Sequence, residues 1–204
     1  MLVYLRDPAN AITAVGIAVS ATALVTLISG RIEMAVALGL WSVLADQIDG
    51  VVAGKTRNRN ADAAKVGKYL DGFGDMVYGA TLPALVIVAA TQHAAVAHVL
   101  AVALLLAGAL RLSYFSVFGL SGGSFYGVPL SYDIPLLSLF LLARSSLPAA
   151  AFTPVITLSF AVMAILHIAP IRVPAPRGAA LVAIAAVCIV LSAALFLKSL
   201  WLGR

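Results

Sequence analysis

Charge is scarce in this chain. Of 204 residues, 8 are acidic and 13 basic, so 10% are charged while 63% are hydrophobic. Together with a mean hydropathy of +1.08, that scarcity excludes a soluble globular domain and makes the bilayer the solvent. Cysteine is nearly absent. The one thiol, Cys188, lies between Val187 and Ile189, which excludes an intrachain disulfide and a cysteine metal site and leaves a small packing residue. Strand-like alternation is missing too. The run from Leu181 to Leu197 is nearly all apolar, which excludes an outer-membrane barrel and demands backbone hydrogen bonds closed within a helix. The first apolar run starts only after Tyr4, Arg6 and Asp7 and lacks a small-residue cleavage site, so it reads as a retained span, not a signal peptide.

What is present is a succession of apolar stretches, each near the roughly 20 residues that a helix needs to cross about 30 Å of hydrocarbon. Seven are expected, over residues 11–29, 32–54, 65–90, 94–118, 133–147, 149–168 and 179–202, the fifth being short. The fold class expected is all-α: a polytopic transmembrane bundle of six core helices plus a seventh, C-terminal span, with residues 1–204 as one domain. The basic residues orient it. If Lys55, Arg57 and Arg59 are cytoplasmic, alternate loops put Arg6, Lys65, Lys68, Arg111, Arg172 and Arg177 on that side and only Arg31, Arg144, Lys198 and Arg204 on the other. This distribution places the N-terminus in the cytoplasm and the C-terminus outside, in the cell (inner) membrane. The net charge of +5 is thus an orientation signal, and no nucleic-acid partner is expected.

Half of the acidic residues are concentrated in one place. Asp46 and Asp49 are three apart near the end of the second stretch, with Gly50 and Ala53 continuing that helix face. Beyond a basic loop, Gly67, Asp71 and Asp75 are spaced four and four, a second stripe that can face the first. Unpaired carboxylates near a bilayer are costly and repel one another, so they point into a cavity and take cations or protons as partners. Divalent Mg2+ or Mn2+ held by carboxylate oxygens would neutralise them. On spacing alone, two other readings stay open: ion pairs with Lys55, Arg57, Lys65 or Lys68, and a cation or proton path through a transporter.

The run Asp46-Gln-Ile-Asp49-Gly50-Val-Val-Ala53, followed by Gly67-Lys-Tyr-Leu-Asp71-Gly-Phe-Gly-Asp75, resembles the signature of the CDP-alcohol phosphotransferase family, here spanning residues 46–75. Two departures stand out. The arginine of the signature is replaced by Gly54, and the spacer to Gly67 holds twelve residues instead of about eight. Four added residues make about one helical turn, which an extended helix end can absorb, with Lys55 or Arg57 as candidate replacements for the missing cation.

The resemblance implies transfer of a phosphatidyl group from CDP-diacylglycerol to an alcohol with release of CMP, assisted by two divalent ions. Carried over by position, it makes Asp46, Asp49, Asp71 and Asp75 metal ligands and Asp75 also the catalytic base. The nucleotide would lie against Asp49, Gly50, Ala53 and Gly67. The start Asp7-Pro8-Ala9-Asn10-Ala-Ile-Thr13 is similar to the family's opening, which adds Asn10 and Thr13 to the nucleotide contacts; an ordinary capped helix start is the other reading of that segment. A homodimer and contact with membrane lipids are also implied.

The stretch Ala109-Leu-Arg111-Leu-Ser-Tyr-Phe115-Ser-Val-Phe118, the later Phe125-Tyr-Gly127-Val-Pro129 and the turn Ile171-Arg172-Val-Pro174 resemble membrane-embedded phosphatidylserine synthases. That favours serine as acceptor, with Arg111 holding a carboxylate or phosphate through its planar fork. Sibling enzymes using inositol phosphate or glycerol phosphate are the alternative. The Ser121-Gly-Gly-Ser124 stretch reads as a flexible loop.

Overall fold

A computed structural model describes residues 1–202 and is a helical bundle with one short β-ribbon. After a 3-10 turn at Leu2–Arg6, helix α1 (Pro8–Ile28) begins where the sequence signals it. Pro8 sits at the first helical position, and the Asp7 side chain accepts from Asn10 N at 3.1 Å. Helix α2 (Ile32–Lys55) returns antiparallel against it. Asn60 then caps α3 (Ala61–Asp75), accepting from the amides of Asp62 and Ala63.

The helical path runs on from α3 through a π-helical segment, Met76–Thr81, into α4 (Leu82–Ala90). Pro83 in the first turn of α4 has no amide to donate, and a widened turn just before it absorbs the mismatch. There follow α5 (Ala95–Phe118), β1 (Ser124–Tyr126), α6 (Asp133–Ala143), α7 (Ala149–Ile168), β2 (Arg172–Pro174) and α8 (Ala179–Leu202).

Among the described residues, six helical runs have the length and apolarity to cross a membrane: Pro8–Ile28, Ile32–Lys55, Ala61–Ala90, Ala95–Phe118, Ala149–Ile168 and Ala179–Trp201. The protein is an integral membrane protein of the all-α, polytopic kind. The fifth expected span differs. It is α6, 11 residues long, flanked by 3-10 turns at Leu130–Tyr132 and Arg144–Ser146. Its ends nevertheless sit at opposite ends of the bundle. Asp133 meets His167 at the end of α7 at 3.0 Å, whereas the Leu141 carbonyl accepts from Lys198, which lies 3.9 Å from Glu33 at the start of α2. The sequence reading put Arg204 with Lys198; Arg204 lies outside the described residues.

The core runs through the centre of the bundle. Leu40, Leu82, Ile87, Ile134, Leu137 and Phe160 are completely shielded, and helices approach closely where side chains are smallest. A Cβ on Gly39 would come within 2.7 Å of Leu82, and one on Gly108 within 2.8 Å of Ala80. The segment expected as a flexible loop is ordered: β1 pairs antiparallel with β2 through Ser124↔Pro174, Phe125↔Val173 and Tyr126↔Arg172. Gly127 makes the turn out of this ribbon possible. Its φ is +72°, and a Cβ there would run into the His167 carbonyl.

Candidate active site

Helices α2 and α3 bring the two acidic stripes face to face. Asp46, Asp49 and Asp71 each present one oxygen such that all three lie within 4.8 Å of one another. Asp75, one turn beyond Asp71, stays outside that triad, and its Oδ1 accepts from the Tyr78 hydroxyl at 2.6 Å. The π-helical segment places Tyr78 there. All four carboxylates line a cavity of about 190 Å³ with Gly50, Arg111 and Phe125. Gly50 leaves open space at its Cα, and Ala53, on the same face, is half-buried.

The remaining acids are accounted for elsewhere. Asp7 pairs with Arg59 at 2.9 Å, Asp133 with His167 at 3.0 Å and Glu33 with Lys198 at 3.9 Å, while Asp62 is exposed. Among the described residues no lysine or arginine forms an ion pair with the four clustered aspartates. Lys55, Arg57 and Lys65 do not reach them, and Lys68 donates instead to the Ser116 carbonyl at 2.5 Å. The ion-pair reading therefore lacks its partners. A set of hard oxygen donors with no cation in ion-pair contact is the donor chemistry that Mg2+ or Mn2+ requires, and the triad could hold such an ion.

Arg111 projects from α5 and is 6% exposed. Its Cζ lies 5.5 Å from the Phe125 ring centroid, and its Nε has no hydrogen-bond partner. It faces two spaces, the carboxylate cavity and a larger one of about 460 Å³ lined by Tyr114, Tyr126 and His167. At the rim of the latter, Arg172 donates to the Tyr126 hydroxyl at 3.1 Å, and that hydrogen bond lowers the phenol pKa. On the other side, an apolar groove of about 350 Å³ runs between α2, α6 and α8. It shares Asp46, Phe125, Pro129 and Ser131 with the carboxylate cavity, and Ile184, Val187 and Cys188 of α8 form its outer wall.

The opening segment is committed to the protein itself. Asn10 is buried, its amide nitrogen donating to Tyr4 O at 3.0 Å and Ala63 O at 2.9 Å. Its oxygen accepts from Arg59 at 2.6 Å. Thr13 donates to Asp49 Oδ2 at 2.5 Å. Gly67 lies beneath Asn10 and Arg59, where a Cβ would come within 2.7 Å of the guanidinium. Arg59, Tyr78 and the Asp133–His167 pair were missed from sequence. Only Arg59 had a signal, as a third cation in the loop where Lys55 and Arg57 drew attention. Those two are exposed.

No family model matches the chain. A curated relative does: archaetidylserine synthase of Methanothermobacter thermautotrophicus is 34% identical over 116 residues, which is 56% of this chain and 49% of that protein. The match supports the CDP-alcohol phosphotransferase family. The chain therefore matches about half the length of this relative. The departure from the signature at Gly54 falls on an exposed position with nothing within 4 Å of its Cα substituent.

Proposed function

We propose that the chain is a phospholipid-synthesising transferase that moves a phosphatidyl group from CDP-diacylglycerol to a polar alcohol, serine favoured, and releases CMP. One observation carries this reading. Four aspartates that form no ion pair among the described residues line a cavity that joins an apolar groove on one side and is bordered by buried Arg111 on the other. A lipid-linked pyrophosphate needs these three things together: a site for divalent ions, a slot for acyl chains and access for a polar acceptor.

In this reading Asp46, Asp49 and Asp71 hold the metal, with Asp75 as ligand to a second ion or as base. Bound Mg2+ or Mn2+ would neutralise the pyrophosphate and stabilise CMP as leaving group. The protein's own groups do the rest. Tyr78 holds Asp75 through Oδ1, so that the other oxygen takes the acceptor's hydroxyl proton. The acceptor oxygen bonds to phosphorus, the bond from phosphorus to CMP breaks, and the proton stays on Asp75. Arg111 orients the acceptor's anionic group. Gly50 and Ala53 leave room for the cytidine, and Thr13, Asn10 and Gly67 support that wall. The site faces the cytoplasm, the chain is one domain, and a homodimer is its assembly.

The test is CMP release from CDP-diacylglycerol with Mg2+ or Mn2+ and a panel of serine, inositol phosphate and glycerol phosphate. Serine-dependent CMP supports the reading. Release with another acceptor only would reassign the head group, and silence with every acceptor would reject the transferase in favour of ion-coupled transport.

A further inference from the structure

Arg59 belongs to no assigned set, yet three separate segments meet on it. Its Nε donates to Asp7 Oδ2 at 2.9 Å, and its Nη2 donates to Asp7 Oδ1 at 3.0 Å and to Asn10 Oδ1 at 2.6 Å. Asn10 in turn donates to Ala63 O in the first turn of α3. The loop after α2, the start of α1 and the start of α3 are thereby closed into one clasp. Glycine at position 67 makes room for it, because a side chain there would displace both the Asn10 amide and the guanidinium.

One turn along α1 from Asn10, Thr13 donates to Asp49 Oδ2 at 2.5 Å. A threonine side chain has few rotamers in a helix, so the direction of its hydroxyl follows the placement of the helix. The bidentate Arg59–Asp7 pair is a geometrically strict tie, and it fixes that placement. We propose that Arg59 is a positioning residue for the carboxylate triad: its clasp holds the first turns of α1 so that Thr13 sets the rotation of the Asp49 carboxylate facing Asp46 and Asp71. This inference rests on reading the triad as a divalent-ion site. It gives the twelve-residue spacer a purpose, since the added length lets a cation of the loop reach back to Asp7 while position 54 stays bare.

The test is Mn2+ binding to the purified full chain, read by electron paramagnetic resonance of the free ion, for wild type, Thr13→Val, Arg59→Gln and the double variant. Removing an outer group that orients a ligand costs roughly ten- to a hundredfold in metal affinity, which is the loss expected for Thr13→Val. Arg59→Gln weakens Mn2+ binding in the same direction and adds nothing further in the Thr13→Val background, as two steps of one chain must. Additive losses, or unchanged affinity in Arg59→Gln, overturn the proposal. Should Arg59→Gln not fold, Arg59→Lys keeps the charge without the fork; affinity below wild type supports the proposal, and wild-type affinity overturns it. A wild type that binds Mn2+ but releases no CMP sinks the transferase reading alone.

Discussion

Asp75 and Tyr78 show how much a single pair of side chains can decide. Under the proposed chemistry Asp75 accepts a proton, so Asp75→Asn abolishes CMP release while the thermal midpoint stays near wild type; near-normal turnover would reject the assignment. Tyr78→Phe keeps the ring in its buried place and removes only the 2.6 Å hydrogen bond. A hydrogen bond to a charged group is worth about 1.5–3 kcal/mol, so kcat falls roughly ten- to a hundredfold with little change in acceptor KM. Asp7 adds a pH signature. Hydrogen bonding from Arg59 holds its carboxyl below the ordinary range, so the pair stabilises the fold above the unfolded-state pKa of about 3.9 and the gain is lost as pH falls through the lower folded value. A melting series from about pH 6 down to pH 3 is expected to show wild type losing its advantage over Asp7→Asn. Equal slopes would deny the pair that role. At this scale the four aspartates were legible because helical periodicity alone puts Asp46 with Asp49 and Asp71 with Asp75. Arg59 was not, since its partner Asp7 lies 52 residues away, and no local pattern encodes a contact at that separation.

At the scale of elements, what the sequence could not disclose lies mostly where helices stop being regular. Apolar length announced the long spans well, and capping residues placed the starts of α1 and α3. The π-helical segment was hidden inside an expected span, because a widened turn changes the facing of side chains without changing composition. It matters for the site: through Ala80 it packs against Gly108 of α5, and through Gly79 against Leu130. Gly108→Val forces Ala80 away from a contact that is already at 2.8 Å for a bare Cβ. Overpacking of this kind costs about 1–3 kcal/mol, so the thermal midpoint drops and CMP release falls with it as Tyr78 and Asp75 shift. An unchanged midpoint would mean that the helices part freely there. The β-ribbon is a second such case. Three-residue strands carry no usable alternation, and only pairing with the distant α7–α8 connection gives β1 its register, which sets Phe125 against Arg111 and Phe115.

For the whole molecule, the short α6 decides on which side of the membrane α8 ends. Eleven helical residues rise about 17 Å, well under the hydrocarbon thickness, so length alone argues against a crossing. Anchoring argues for one. The start of α6 is tied to His167 at the site end, while its last turn takes Lys198 next to Glu33 at the opposite end. The flanking 3-10 turns extend the traverse, and Arg144, stacked 4.8 Å over the Phe152 ring, can reach the interface from a shortened end. A crossing puts the α5–β1 loop and the α6–α7 loop on opposite faces of the membrane. Single-cysteine labelling reads this directly, because the native Cys188 is fully shielded and contributes little background. Ser121→Cys and Ser145→Cys are both at exposed positions. In sealed right-side-out vesicles an impermeant maleimide is expected to label the second and spare the first until the membrane is opened. Labelling of both, or neither, from one side would make α6 re-entrant. It would return the end of α8 to the side of the membrane that holds the site, against the orientation proposed from the nine basic residues of that end.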